Sequence, residues 1–227
     1  MKLVMKFGGS SLANPSRVRN VAGLVAKFAK GNKVTVVVSA VGEVTDRLVE
    51  IGGYAQKGDI RRVKKLTGTI GRLHLKVAKS LSVKVAARRE LLAVLEGLLQ
   101  DLERTADGIT QLRELTPRSR DYLLSMGERL SASLVAAAIR GVGLRARSFT
   151  GAEAGITTDD RFGEARPLVE VSFHQVRQRI GPVLARGEVP VVTGFVAGTV
   201  EGTVTTLGRG GSDYTATFLG AALDADE

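Results

Sequence analysis

The first forty residues constrain the fold more than any other stretch of the chain. Residues 2–7 (KLVMKF) read as a short buried strand, and Gly8-Gly9-Ser10-Ser11 follows as a flexible polar turn. Asn14-Pro15 then opens a helix, with Asn as N-cap and Pro at the first helical position. Val18, Val21, Leu24, Val25 and Phe28 recur at helical spacing until Gly31. Residues 33–39 form a valine-rich run whose near-continuous apolar character predicts a strand buried on both faces. Strand, glycine turn, helix, strand is a βαβ unit, and such units build parallel sheets covered by helices.

The remainder keeps up the alternation. Residues 43–113 are helical in pattern, with Thr45 at the start of a first helix, a second over 59–80 and a third over 85–104. Together they read as a helical excursion, about residues 43–115, from an α/β core. Leu91, Leu95, Leu98, Leu99 and Leu102 fall on one side of the third helix and predict helix packing. Pro117 starts a helix that Gly141 and Gly143 stop. Beyond it, the pattern predicts a strand over 145–149, a long Gly/Thr/Asp-rich loop over 152–165 and a short strand over 168–171. A helix over 173–186 follows, made irregular by Pro182, and then a buried strand over 189–193. Residues 195–206 carry a hairpin signal with Gly198 and Gly202, residues 208–211 a second glycine loop, and residues 212–223 an Ala-rich helix. The expected fold is α/β, with a mostly parallel sheet and helices on both sides.

A length of 227 residues allows one sizeable domain. The absence of Cys excludes disulfides and thiolate metal sites and fits a reducing cytoplasm. The longest apolar runs are far too short to cross a bilayer, and strand-like residues from position 2 onward leave no room for a signal peptide. The net charge of +10 is concentrated between Lys57 and Arg113, without aromatic residues to stack on bases. It reads as a solvated helical face, not as a nucleic-acid surface. His74 and His174 stand alone, so no metal site is expected.

Four clusters could carry chemistry. Lys6 with Gly8-Gly9-Ser10-Ser11 offers bare backbone N–H groups and a point charge for phosphate, although alone it reads more readily as a tight turn with a solvated lysine. In Gly208-Arg209-Gly210-Gly211-Ser212-Asp213, three glycines surround one guanidinium suited to a carboxylate, at the mouth of a helix. Asp213 could cap that helix, hold a substrate ammonium or orient a lysine. Ser39 and Thr45 lie at a strand end, where open α/β sheets bind ligands, or are plain strand-end and cap chemistry. Glu128 follows Gly127 in mid-helix; such a glycine marks a close approach, and the acid could accept a hydrogen bond from an ammonium or simply be solvated.

The set resembles the amino-acid kinase superfamily, and within it the aspartate kinases. The resemblance rests on Lys6-Phe7-Gly8-Gly9-Ser10-Ser11, Val38-Ser39-Ala40, Ser125-Met126-Gly127-Glu128-Arg129-Leu130-Ser131-Ala132, Asp160-Arg161-Phe162-Gly163, Gly194-Phe195 and Thr206-Leu207-Gly208-Arg209-Gly210-Gly211-Ser212-Asp213-Tyr214-Thr215-Ala216. It covers essentially the whole chain and implies a three-layer αβα sandwich. It implies ATP phosphate contacts from Lys6, Phe7, Gly8, Gly9 and Ser10. It implies an aspartate pocket from Ser39, Thr45, Glu128, Phe195, Arg209, Gly211 and Ser212. Lys6 and Asp213 would be catalytic, with Mg²⁺ accompanying ATP. The implied reaction is phosphorylation of the L-aspartate β-carboxylate, the first step toward lysine, threonine and methionine, in a cytoplasmic protein that is homo-oligomeric at full length. Members of the family continue past the last helix with a strand, a nucleotide loop and regulatory domains. The chain is therefore expected to be a single catalytic domain, incomplete at its C-terminus and poorly active alone. The alternative is a non-catalytic aspartate-binding or regulatory fragment.

Overall fold

The computed structural model describes residues 1–227. The elements run β1 (Lys2–Phe7), α1 (Gly9–Leu12), α2 (Pro15–Phe28), β2 (Lys33–Val38), α3 (Val44–Gln56), α4 (Ile60–Ser80), α5 (Val85–Leu112) and α6 (Pro117–Gly141). They continue with β3 (Ala146–Phe149), α7 (Gly151–Ala154), β4 (Thr157–Thr158), α8 (Val169–Ala185), β5 (Val189–Thr193), β6 (Val196–Thr199), β7 (Val204–Thr206) and α9 (Gly211–Leu223).

The valine-rich strands explain the architecture. β1, β2, β5 and β3 pair in that order, all parallel. Alternate side chains of one strand enter two separate cores. Val36, Val38 and Val191 join an apolar cluster with α2 to α6, while Val37 and Val192 join a second with α8 and α9. A strand apolar at every position is what a sheet covered on both faces requires. The result is the expected three-layer αβα sandwich, with β4, β6 and β7 as a small second sheet beside it.

Local chemistry sets the helix starts. Asn14 Oδ1 accepts the Arg17 N–H and Thr116 Oγ1 the Ser119 N–H, each with Pro at the first helical position. The excursion is α3 to α5. Leu91, Leu95 and Leu102 of α5 are buried with Val63, Ile70 and Val77 of α4, while its lysines and arginines mostly face water. Between the excursion and the sheet lies α6, and from Leu123 to Ile139 only Arg129 escapes burial.

Some expectations need correction. Residues 9–12 form one helical turn because Leu12 reaches the core. Residues 152–165 are not one loop: Thr150 and Glu153 close a capping box over α7, and β4 follows. Residues 168–171 are not a strand. Extended pairing stops at Pro167, bridged to Thr158, and the chain turns helical from Val169. Ser172 causes this by exchanging hydrogen bonds with both backbone groups of Thr157, and Val169 and Val171 stay exposed. The third helix of the excursion runs on to Leu112.

Candidate active site

Because β1, β2 and β5 are parallel, their carboxyl ends share one edge, where an α/β sheet opens a crevice. Gly8, Ser39-Ala40 and Gly194-Phe195 leave the sheet there. At this edge Lys6, Ser39, Thr45, Glu128, Phe195, Arg209, Gly211, Ser212 and Asp213 line one polar cleft of about 290 Å³. A larger hollow of about 450 Å³, between Tyr122 and Glu201, holds none of them.

The two glycine loops meet directly. Lys6 Nζ lies 2.8 Å from Asp213 Oδ1. The Asp213 side chain does not cap α9, whose N-cap is Gly210 with φ 75°. Arg209 is exposed at the cleft and forms no ion pair within the chain. Its five donors remain available to a planar anion.

Close packing shapes the cleft wall. A Cβ on Gly194 would lie 2.5 Å from Ser212 Oγ, so only a glycine lets the end of β5 touch α9. Phe195 then takes φ 64°, a left-handed conformation costly for a bulky residue. Thr215 holds it there: its Oγ1 accepts the Phe195 N–H at 3.0 Å and donates to Gly211 O at 2.7 Å.

The floor comes from α6. A Cβ on Gly127 would come 2.8 Å from Ala40 Cβ, which is the close approach its mid-helix position suggested. This contact seats Glu128 beneath the strand ends. Glu128 is buried, Oε1 accepts the Ala40 N–H at 3.1 Å, and Oε2 has no partner. Burial, only partly offset by the Ala40 hydrogen bond, pushes its carboxyl up to about 8. Ser131 Oγ, one turn on, lies 2.7 Å from Ser39 O and fastens the same strand end.

The proposed phosphate contacts divide. Lys6 is in the cleft, and a Cβ on Gly8 would lie 3.6 Å from its Nζ. Phe7 is buried in the core, Gly9 packs on the carbonyls of Ala40 and Gly42, and Ser10 faces another hollow beside Arg17. The sequence motifs include Gly194 and Thr215 without a role for either, and Asp121 lies outside them. Asp121 is a buried acid of α6 that accepts hydrogen bonds from Gly163 and Thr206. An acid seven residues before Glu128, on the same helical side, was the available signal.

"Aspartokinase 1, chloroplastic" of Arabidopsis thaliana is 37% identical over 228 residues, which is 99% of this chain and 38% of that protein. "Aspartokinase" of Corynebacterium glutamicum is 36% identical over 226 residues, 99% of this chain and 39% of that protein. The chain thus spans about two-fifths of the length of these curated relatives. Among solved structures, E. coli aspartokinase III in complex with aspartate and ADP matches with TM-score 0.86 and 29% identity. That match covers 100% of this chain and 48% of the solved one. The pattern of the Amino acid kinase family matches residues 1–227. The match runs the whole length of a chain whose two glycine loops close on one cleft, and the chain belongs to the Amino acid kinase family.

Proposed function

We propose that this chain carries the amino-acid and phosphoryl-binding part of an aspartate kinase, an ATP-dependent enzyme that phosphorylates the β-carboxylate of L-aspartate. The observation that supports this most is the convergence, on one cleft, of an unpaired guanidinium, a buried carboxyl with a free oxygen and a lysine–aspartate pair. An amino diacid is a ligand with one group for each. Arg209 binds a carboxylate through two parallel hydrogen bonds. Glu128 receives the ammonium on Oε2, and Ser39, Thr45 and Ser212 supply polar contacts. The phosphates of ATP lie toward Lys6 and the backbone of Gly8. A β-carboxylate oxygen attacks the γ-phosphorus, the bond from that phosphorus to the bridging oxygen breaks, and ADP leaves. Lys6 neutralises charge on the transferring group, and Asp213 holds its ammonium in place. Positioning two anions against their mutual repulsion is the main task.

The residues present do not build a cage for Mg²⁺. No group of three or more ligating side chains gathers in the chain, and of the two cleft carboxylates one is paired and the other buried. An ion accompanying ATP would be held by its phosphates, and no step above passes through it. No helix is long and apolar enough to cross a membrane.

The division of the phosphate contacts favours a second reading, in which this chain binds aspartate without efficient transfer. Calorimetry with aspartate and with Mg-ATP separately tests both. Aspartate is expected to bind more tightly than ATP, and a coupled assay should show little turnover. Normal turnover would discard the second reading, and ATP binding without aspartate binding would discard the site assignment.

A further inference from the structure

Asp121 lies outside the cleft, yet it holds together the parts that build it. Its Oδ2 accepts the N–H groups of Gly163 and Thr206, each at 2.9 Å, and its Oδ1 accepts the Thr206 hydroxyl at 2.8 Å. Three donors from two segments therefore converge on one buried carboxylate. Burial pushes this carboxyl up, and the three donors, with the nearby Arg120 charge, pull it back. The two segments are also joined to each other: the Ala165 N–H donates to Thr206 O at 2.9 Å, and Thr158 Oγ1 lies 2.7 Å from Thr205 Oγ1. Thr206 is the last residue of β7, and the glycine loop with Arg209 begins two residues later. The underside of that loop rests on the clamped segment, since a Cβ on Gly208 would come 3.3 Å from Glu164 Cγ and 3.4 Å from Gly163 O. On α6, Asp121 precedes Glu128 by seven residues, about two turns on the same side. One rigid helix thus carries both the clamp on the glycine loop and the acid on the cleft floor.

We propose that Asp121 is a positioning residue: by clamping residues 163–165 to Thr206 it fixes the glycine loop at the height where Arg209 and Glu128 can hold the two ends of one amino acid. The proposal rests on the aspartate-binding reading for its consequence, but not for the clamp itself. Loss of the carboxylate would leave the buried Thr206 N–H and the half-buried Gly163 N–H without their partner and free the loop. An asparagine can turn its oxygen to both N–H groups and its amide to the Thr206 oxygen, so shape and hydrogen bonding are retained.

Hydrogen exchange and aspartate calorimetry on the wild type and on Asp121→Ala, Asp121→Asn, Thr206→Val and Thr206→Ser give the test. In Asp121→Ala, exchange in residues 207–213 should rise about tenfold, and aspartate affinity should fall about tenfold, while β2 and β5 amides stay protected. Thr206→Val should show the same pattern more weakly, and the Asn and Ser variants should stay within about threefold of wild type. If Asp121→Ala does not fold, Thr206→Val against Thr206→Ser decides alone. Uniform exchange gain through the sheet would mean that Asp121 only supports the fold, and unchanged loop exchange would mean that it holds nothing; either overturns the proposal. A freed loop in a chain whose wild type binds no aspartate would leave the clamp standing and remove the functional reading.

Discussion

His74 of the helical excursion and Glu128 of the cleft are both buried titratable side chains with an orphan atom, and the two behave in opposite ways. His74 of α4 is fully buried, its Nδ1 lies 2.8 Å from Ile70 O, and its Nε2 has no partner. Burial, against the raising effect of that carbonyl, lowers its pKa to about 4. Glu128 is raised to about 8, also mainly by burial. Both are therefore kept neutral near pH 7. The difference lies in what their free atoms face. His74 lies on the buried side of α4, with Ile70, Gly71, Val77 and Ala78. Glu128 lines the cleft, where the ammonium of the proposed ligand would meet it. Burial alone marks strain on a titratable group; burial beside a hollow marks a use for it.

If this contrast is right, damage to the excursion should read out in stability, and damage to the cleft in affinity. The largest effect is expected for Leu95→Ala, which empties a fully buried position of α5. It should lower unfolding free energy by about 2–5 kcal/mol by chemical denaturation, with aspartate affinity of the folded fraction unchanged. Arg209→Ala should do the converse: a loss of about 2–3 kcal/mol in aspartate binding by calorimetry, and a melting temperature within error of wild type. A large stability loss there would break the contrast.

Glu128→Gln joins both sides. The folded pKa of Glu128 lies above the unfolded value of 4.5, so the native state holds its proton longer and stability falls as pH rises from about 4.5 to about 8. The glutamine variant should be more stable than wild type by about 1–3 kcal/mol at pH 8, equal to it near pH 4, and weaker for aspartate. Wild-type affinity should itself rise toward pH 8, because the ammonium is received by the ionised acid. His74→Leu carries the opposite sign. With a folded pKa below the unfolded 6.5, His74 costs stability as pH falls from about 6.5 to about 4. The variant should remove on the order of 1–2 kcal/mol of that acid loss and leave binding untouched. Smallest of all, Lys65→Glu on the exposed face of α4 should change stability by less than about 0.5 kcal/mol and not alter aspartate binding.

Most of the layer order was legible because it rests on short-range rules. The valine run of β2, the Asn14-Pro15 start of α2 and the leucine stripe of α5 each carry their own periodicity or cap. The helix starting at Val169 was not legible, because exposed valines mimic a strand and the deciding bonds join Ser172 to Thr157, fifteen residues away. The cleft divides in the same manner. Lys6, Arg209 and Asp213 announce themselves by sitting in or beside glycine loops, whereas Thr215 and Asp121 look like ordinary helix residues. Their importance comes only from partners at 20 and up to 85 residues' separation. The capping box at Thr150 and Glu153 was readable from spacing alone and marks a short helix inside what looked like loop.

The burial of α6 on every side has a consequence for how the molecule comes apart. A helix with hardly any polar stripe cannot stand in water by itself, so neither the seventy-odd residues before it nor the sheet after it can dissolve away while leaving it solvated. The excursion looks detachable on a diagram, but melting it would lay bare one flank of α6 and its apolar side chains. One cooperative heat-absorption peak is expected in scanning calorimetry, with equal calorimetric and van't Hoff enthalpies.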